Sequence, residues 1–250
     1  VPSFLLKMIS FAKENNIDLS QSSLEKAICI GEPIRTADFQ LNSLGEEIVS
    51  NLNIMLYSTY ASTEMMTAFT ECDEGNGGHH QKNLIYLEVL DSDDNEVPTG
   101  GIGEVVVTTL GVEAMPLLRY RTGDICTVYR DKCKCGRDSI RLGPVLGRQS
   151  QRLKVKGTTI FPSEIITAVY DFTKNNNFVI EATLDEFGSD KLCLFVTNEF
   201  LDKSSLKKFK DFLKSTLLFT PDVFIEEESV ITEKTGVGNS RKINRFLDKR

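Results

Sequence analysis

The chain has 250 residues, of which 40% are hydrophobic, and it carries a formal net charge of −7. This length suits one large domain or two smaller ones, and no apolar run reaches the roughly 18–20 residues that a membrane-spanning helix needs. The acidic balance argues against nucleic acid as the main partner. Six cysteines without a recognisable export signal favour a reducing compartment, so we expect a cytoplasmic protein without a membrane or nucleic acid partner.

Helical and strand patterns alternate in the first part of the chain. Apolar residues at 4–12 recur at helical spacing, and 26–31 reads as a buried strand that ends in a turn. Residues 36–52 predict a second helix capped by Thr36, followed by a strand at 53–57. This strand–turn–helix–strand order predicts a parallel sheet with ligand-facing turns at the strand ends.

The pattern changes from residue 84 onward. Three β-rich runs at 84–90, 104–110 and 117–129 are separated by turn-rich sequence. We therefore expect the α/β portion, with its mixed sheet, to continue into an antiparallel or β-barrel-like subdomain that ends at residue 148.

A second, smaller α+β unit is predicted for residues 149–250. Its elements are strands at 153–155, 178–184, 192–197 and 223–230 and helices at 162–172 and 204–217. The order β-α-β-β-α-β is that of a compact module of about 100 residues.

The stretch from Pro116 to Gly157 contains the most informative motifs. Asp124 follows a glycine turn at a strand edge, where its carboxylate is well placed to accept hydrogen bonds from a ribose diol. Arg148 follows a second glycine and suits phosphate or ribose as a fixed cationic fork. A Gly-Asp turn or a Gly-Arg pair alone more often has a purely structural role. The prediction of a nucleotide site therefore depends on the order of these motifs along the chain.

These motifs, together with Ile30-Gly31-Glu32-Pro33 and Tyr60-Ala61-Ser62-Thr63-Glu64, resemble the AMP-forming acyl-CoA synthetases, most closely the phenylacetate–CoA ligase branch. The resemblance implies that the Gly31-Glu32-Pro33 turn lies against adenine. It also implies a nucleotide-binding segment at 60–64. In that segment Tyr60 packs on adenine, and Ala61, in place of the usual glycine, could restrict the turn.

The same resemblance assigns roles to other positions. Thr63 would reach the α-phosphate, and Glu64 would hold Mg²⁺, a hard ion that prefers oxygen ligands. Ser150 would occupy the hinge position, which is usually Asp. Gly157 would approach the pantetheine arm of coenzyme A.

The catalytic lysine of the family has two candidate positions near the C-terminus. The family's Gly-Lys-x-x-Arg-Val-x-Asp-x-Arg pattern fits residues 241–250 without a gap and selects Lys242, with Arg241 replacing the glycine. A rival register anchored on Gly238 places Asn239 at the lysine position but matches nothing downstream. We take Lys242.

The implied reaction is activation of an aryl carboxylic acid by ATP to an acyl-adenylate, followed by transfer to coenzyme A. The family's Gly/Ser/Thr-rich phosphate loop has no counterpart in this sequence. We therefore expect the chain to begin inside the large domain and to show no catalytic turnover alone.

Two alternative functions stay open: a ligase that transfers the acyl group to another acceptor, and a nucleotide-binding module held by zinc that has no ligase activity. The acid and the oligomeric state, including a homodimer, also stay open.

Cys72, His79, Cys133 and Cys135 form a separate constellation in glycine-rich turns. Three thiolates and an imidazole suit tetrahedral zinc, and a closed four-ligand site has a structural role. Some phenylacetate–CoA ligase relatives carry this pattern and others lack it, which also favours a structural staple. The alternative is unpaired surface thiols with a solvated histidine.

Overall fold

The computed structural model describes residues 1–19, 22–175, 177–197, 205–236 and 244–250. The chain divides into two compact units, Val1–Gln149 and Ser150–Arg250. Their assignment as the later part of a large domain and a small mobile domain stays a prediction. In the described residues, no helix is long and apolar enough to cross a membrane.

In the first unit, the described residues (1–19 and 22–149) form two α-helices and nine strands. The helices are α1 (Pro2–Glu14) and α2 (Ser43–Leu52). The strands are β1 (Lys26–Ile30), β2 (Met55–Ser62), β3 (Thr67–Thr70), β4 (Gly78–His79), β5 (Ile85–Leu90), β6 (Ile102–Thr109), β7 (Tyr120–Tyr129), β8 (Arg141–Leu142) and β9 (Gly147–Arg148).

These strands form one mixed sheet. Its order is β1-β2-β3-β4-β8-β7-β6-β5, and β9 pairs with β7. Strands β1 and β2 run parallel, as the sequence predicts, and the other pairs are antiparallel. The expected α/β class with a large mixed sheet is confirmed, whereas the barrel-like subdomain is not.

Two apolar clusters hold this unit together. Helices α1 and α2 pack on one side of β1 and β2 through a cluster that includes Ile9, Cys29, Ile48 and Leu56. A second cluster lies among β3, β5, β6 and β7, with buried members at alternate strand positions, as expected when one face of a strand is covered.

Helix α2 begins later than the sequence predicts. Asn42 rather than Thr36 caps it, because the Asn42 side chain accepts a hydrogen bond from the backbone N–H of Gly45 at 3.0 Å. The segment 36–42 instead forms a turn closed by a bridge between Arg35 and Leu41. Phe39 in this turn has a positive φ of 64°, which a helix does not allow.

The second unit packs helices against a four-stranded sheet. Its helices are α3 (Pro162–Thr173), α4 (Ser205–Leu217) and α5 (Glu228–Thr235). Its strands are β10 (Leu153–Val155), β11 (Thr158–Ile160), β12 (Phe178–Leu184), β13 (Asp190–Thr197), β14 (Asp222–Glu226) and β15 (Phe246–Asp248). The order of the main sheet is β14-β13-β12-β15, and β10 and β11 form a separate hairpin.

The predicted strand at 223–230 is wrong in its second half. Strand β14 ends at Glu226, and α5 follows with Ile231 and Thr235 buried four residues apart, the spacing of one helix face. Strand β15 was also missed: it pairs in parallel with β12 and completes the sheet. The compact α+β character survives these corrections, but the element order is longer than β-α-β-β-α-β.

A close backbone approach at Gly103 in β6 predicts that this position requires glycine. A Cβ atom there would lie 2.5 Å from the carbonyl oxygen of Leu90, whereas a Cβ at Gly143 would meet only ordinary contacts at 3.5 Å or more. We expect Gly103→Ala to lower the free energy of unfolding by about 1–3 kcal/mol. Gly143→Ala should stay within about 0.5 kcal/mol. Chemical denaturation followed by circular dichroism measures both, and equal effects would contradict this account.

Candidate functional site

The glycine turn after β1 lies at the carboxyl-end edge of the parallel strand pair. Ile30 and Thr59 form the last pair between β1 and β2, so Gly31 and Tyr60 both follow the end of this parallel pairing. Gly31 has a φ of +89°, a conformation that favours glycine. The Glu32 carboxylate accepts a hydrogen bond from the backbone N–H of Ser3 at 2.8 Å, which fixes the turn to the start of α1.

The Asp124 carboxylate is held from two sides. The Tyr60 hydroxyl donates a hydrogen bond to Oδ2 at 2.9 Å, and Nε of Arg148 lies 3.3 Å from Oδ1. The ion pair follows from the sheet, because Asp124 and Arg148 are direct partners across β7 and β9. A carboxylate oxygen has two acceptor positions, so both oxygens can still accept from a ligand diol.

The hairpin between β2 and β3 presents Thr63 and Glu64 in its loop. The backbone N–H of Met65 donates to the Ser62 hydroxyl at 3.3 Å, and that of Met66 donates to the Thr63 carbonyl at 3.2 Å. Ala61 lies before the loop, in β2, and its φ is not positive. Its methyl group therefore strains no turn.

The electrostatic environment shifts the pKa values of Glu64 and Tyr60 in opposite directions. The backbone N–H of Glu64 and the Ser62 hydroxyl lower the pKa of the Glu64 carboxyl, and the positive charge of Arg148 adds to this effect. Glu64 is therefore ionised at neutral pH and can bind a cation. Burial raises the pKa of the Tyr60 phenol, which keeps its proton for the bond to Asp124.

The remaining candidates lie in the second unit. Ser150 begins it, and its carbonyl accepts a hydrogen bond from the Arg250 guanidinium at 3.3 Å. Gly157, with a φ of +85°, forms the turn between β10 and β11. Lys242 and its rival Asn239 lie outside the described residues, so the choice between them stays a prediction.

Sequence reasoning missed how Arg250 is used. Its guanidinium binds both carboxylate oxygens of Asp248, at 2.8 and 2.7 Å, and Oδ1 of Asp190 at 3.1 Å. The second oxygen of Asp190 accepts from the backbone N–H of Lys154. Arg250 thus connects the end of the chain to the start of its own unit. Spacing could not show this, because Asp190 lies 60 residues away.

The structure brings the four predicted metal ligands together. The ligand atoms of Cys72, His79, Cys133 and Cys135 all lie within 4.8 Å of one another. The Sγ atoms of Cys72 and Cys133 are 3.8 Å apart, and Sγ of Cys135 lies 3.6 Å from Nε2 of His79. Zinc bond lengths at the tetrahedral angle give about 3.8 Å between two sulfurs and about 3.6 Å between sulfur and nitrogen. The distances therefore fit a zinc ion.

The polar groups around the cluster also suit a metal. Nδ1 of His79 lies 2.9 Å from the Ser139 hydroxyl, which leaves Nε2 facing the sulfurs. Burial lowers the pKa of His79, so the imidazole is neutral at pH 7, the form that binds metal. Burial raises the pKa of Cys72 to about 11, whereas the backbone N–H of Arg137 lowers that of Cys135.

A buried ion pair anchors the loop that carries Cys72. Nε of Arg35 lies 2.8 and 2.9 Å from the two carboxylate oxygens of Glu71, and the backbone N–H of Ser58 donates to the same carboxylate. Arg35 also donates to the carbonyls of Phe39 and Leu56. Burial raises the pKa of Glu71, while Ser58 and Arg35 act against this rise. No sequence motif pointed to this pair.

The comparisons with known proteins agree with the motifs. No family model matches the chain. The phenylacetate–coenzyme A ligase of Thermus thermophilus is 31% identical over 194 residues, which are 74% of this chain and 42% of that protein. The enzyme of the same name from Aromatoleum evansii is 30% identical over 168 residues, 66% of this chain and 36% of that protein.

A solved structure shows the same fold. A 2-hydroxyisobutyryl-CoA ligase in complex with R3-HIB-AMP matches with a TM-score of 0.77 at 22% identity, over 100% of this chain and 54% of that chain. At 22% identity this likeness shows the fold alone. The relatives found by sequence are phenylacetate–coenzyme A ligases, and the predicted resemblance to them is confirmed. The chain spans less than half the length of these relatives.

The buried pair Arg35–Glu71 makes a prediction about stability. The Glu71 side chain is 2% exposed, so Arg35→Met leaves a buried charge without its partner. We expect a loss of about 3–5 kcal/mol in the free energy of unfolding at pH 8. Because Glu71 then releases its proton less readily in the folded state than in the unfolded state, the loss should shrink as the pH falls.

The exposed pair Lys82–Asp138 provides the matched control. Its side chains are 63% and 77% exposed, so Lys82→Met should cost less than about 1 kcal/mol. Urea denaturation at pH 5 and pH 8 measures both variants. A loss for Arg35→Met that is as small as the control's would show that Glu71 is not buried as a charge.

Proposed function

We propose that the chain is the later part of the large domain, followed by the small C-terminal domain, of an AMP-forming acid–thiol ligase. Its substrate would be an aryl carboxylic acid of the phenylacetate type, activated by ATP and transferred to coenzyme A. One observation carries the proposal: the Asp124 carboxylate lies oriented between Tyr60 and Arg148, in a chain whose relatives are phenylacetate–coenzyme A ligases. A cytoplasmic location belongs to the same proposal.

The described residues suit the adenosine end of such a site. The two oxygens of Asp124 would accept the hydrogen bonds of a ribose diol, and the exposed guanidinium of Arg148 would meet ribose or phosphate. The Gly31-Glu32-Pro33 turn at the neighbouring strand end would lie against adenine. A small residue at position 31 favours a close approach of backbone to ligand.

The hairpin loop would serve the phosphates. Thr63 offers a hydroxyl for the α-phosphate, and the ionised Glu64 would hold Mg²⁺, which neutralises phosphate charge when bound. The carboxylate of the acid attacks the α-phosphorus, the bond to pyrophosphate breaks, and a cationic Lys242 stabilises the charge that develops there. The thiol of coenzyme A then displaces AMP, with Gly157 near the pantetheine arm.

An activity assay tests this proposal and separates it from its alternatives. The protein as its gene encodes it is incubated with ATP, phenylacetate and coenzyme A, and pyrophosphate and acyl-CoA are measured. Formation of both supports the ligase. Pyrophosphate release without acyl-CoA would favour another acceptor, and AMP binding without pyrophosphate release would favour a module without ligase activity.

The register of the catalytic lysine gives a sharper test in the same assay. We expect Lys242→Ala to lower the rate of pyrophosphate release by about 10²- to 10³-fold, since a group that stabilises transition-state charge is removed. Asn239→Ala, the control for the rival register, should leave the rate nearly unchanged. A normal rate in Lys242→Ala would exclude this lysine as the catalytic one.

We further propose that Cys72, His79, Cys133 and Cys135 hold a structural zinc ion. The support is the pair of distances, 3.8 and 3.6 Å, that match two edges of a zinc tetrahedron. All four ligand positions belong to the protein, so the ion would stabilise the fold and leave no position for substrate.

Metal analysis tests the zinc proposal. The purified protein should contain about one equivalent of zinc, and chelation should lower its unfolding temperature, because metal binding contributes to folding. Cys133→Ser should lose the metal, whereas Cys193→Ser, a cysteine of the second unit, should keep it. Zinc well below one equivalent, with no effect of chelator on stability, would reject the staple.

A further inference from the structure

The Tyr60 hydroxyl has an unusual position for a ring expected to pack on adenine. It donates a hydrogen bond to Asp124, 64 residues away in sequence, and this bond joins β2 to β7. The ring itself stacks on Phe69, at 5.7 Å between centroids and an interplanar angle of 26°. Phe69 is 1% exposed, so the Tyr60 ring packs against the hydrophobic core of the first unit.

The two contacts of the Asp124 carboxylate differ in rigidity. The Arg148 side chain is 65% exposed, and its contact with Oδ1 is 3.3 Å long. An exposed ion pair of this kind is weak and is easily exchanged for solvent or an anionic ligand. The bond from Tyr60 to Oδ2 is shorter, at 2.9 Å, and comes from a partly buried group.

The orientation of an aspartate carboxylate needs such a contact. The terminal torsion of Asp is broad and has no sharp staggered minima, so the carboxylate plane turns readily unless a partner holds it. A diol is bound through both oxygens only when that plane faces it. A hydrogen bond fixed at one oxygen therefore sets where the other oxygen points.

We propose that the Tyr60 hydroxyl is a positioning group for the ribose diol: it orients the Asp124 carboxylate so that both of its oxygens face the two ribose hydroxyls. This inference rests on the proposed nucleotide-binding function. It assigns the phenolic oxygen a role in recognising ribose that is distinct from any contact of the ring with adenine. Binding of a ligand without the diol should not depend on this oxygen.

The experiment compares AMP with 2′,3′-dideoxy-AMP, using ligand-observed NMR titration of the 250-residue chain. Tyr60→Phe removes one oxygen and keeps the ring that packs on Phe69. We expect it to raise the dissociation constant of AMP about three- to tenfold, within the range of the net contribution of one ordinary hydrogen bond, because the substitution acts on the ligand only through Asp124. The dissociation constant of 2′,3′-dideoxy-AMP should stay within twofold of that of the unaltered chain.

Tyr57→Phe is the matched control. Tyr57 lies on the same strand, and its hydroxyl also donates to a carboxylate, that of Asp73 at 2.6 Å, but at an exposed position. It should change the affinity for neither ligand.

The possible outcomes distinguish a failure of the positioning role of Tyr60 from a failure of the proposed nucleotide-binding function. Equal weakening of both ligands by Tyr60→Phe would show a purely structural role and overturn the inference, as would no weakening of either. If the unaltered chain binds neither ligand, the proposed nucleotide site fails and the inference fails with it.

Discussion

The register of β7 determines where the candidate groups of the first unit lie. This strand pairs with β6 on one side and with β8 and β9 on the other. Every second residue of a strand lies on the same face, so Asp124 shares a face with the buried Cys126 and Val128, at the position that pairs with Arg148 in β9. A slip of one residue would turn Asp124 to the other face and remove both of its contacts. The apolar side chains that hold the register therefore also place the carboxylate.

Strand β7 is connected through its neighbouring strands to the cluster of four predicted metal ligands. Tyr129 at the end of β7 pairs with Arg141 in β8, and Arg141 pairs with His79 in β4. Strands β4 and β3 approach each other closely, because a Cβ atom at Gly78 would lie 2.4 Å from the carbonyl oxygen of Phe69. Only glycine allows this approach, which brings His79 against β3. Since Phe69 also supports the Tyr60 ring, the two candidate sites share one part of the sheet.

Sequence patterns were sufficient where local periodicity and burial agree. The β12–β13 hairpin and the helices α3 and α4 lie close to their predicted positions, because their apolar residues pack on one core. The start of α2 could not be read in this way. Both Thr36 and Asn42 are good capping residues. The turn at 36–42 determines that Asn42 caps the helix. Strand β15 was missed because three residues carry no periodic signal and gain their pairing only from β12.

In the candidate site, too, the sequence predicts individual residues but not the contacts that depend on the tertiary structure. Motif order selected Tyr60, Asp124 and Arg148 as candidates, but it did not predict the bond from Tyr60 to Asp124, since hydrogen bonds between distant residues depend on the completed sheet. The four candidate metal ligands were predicted from residue type and from their position in glycine-rich turns, and the structure adds their convergence. The pair Arg35–Glu71 carried no signal, because an isolated arginine and glutamate are ordinary surface residues in most sequences.

The proposed metal site would compensate for the weak packing of the loop at residues 131–138. Of residues 131–138, all described by the structure, Cys133 alone is buried, so hardly any apolar surface there can offset the entropy of ordering the loop. Its backbone makes a bond between Cys133 N–H and the Arg137 carbonyl and another between Gly136 N–H and the Cys133 carbonyl. Two such bonds shape the turn but do not attach it to the sheet. An ion shared with Cys72 and His79 would make that attachment, because it ties the loop to the glycine-rich segment and to β4 through bonds stronger than any contact the exposed side chains can form.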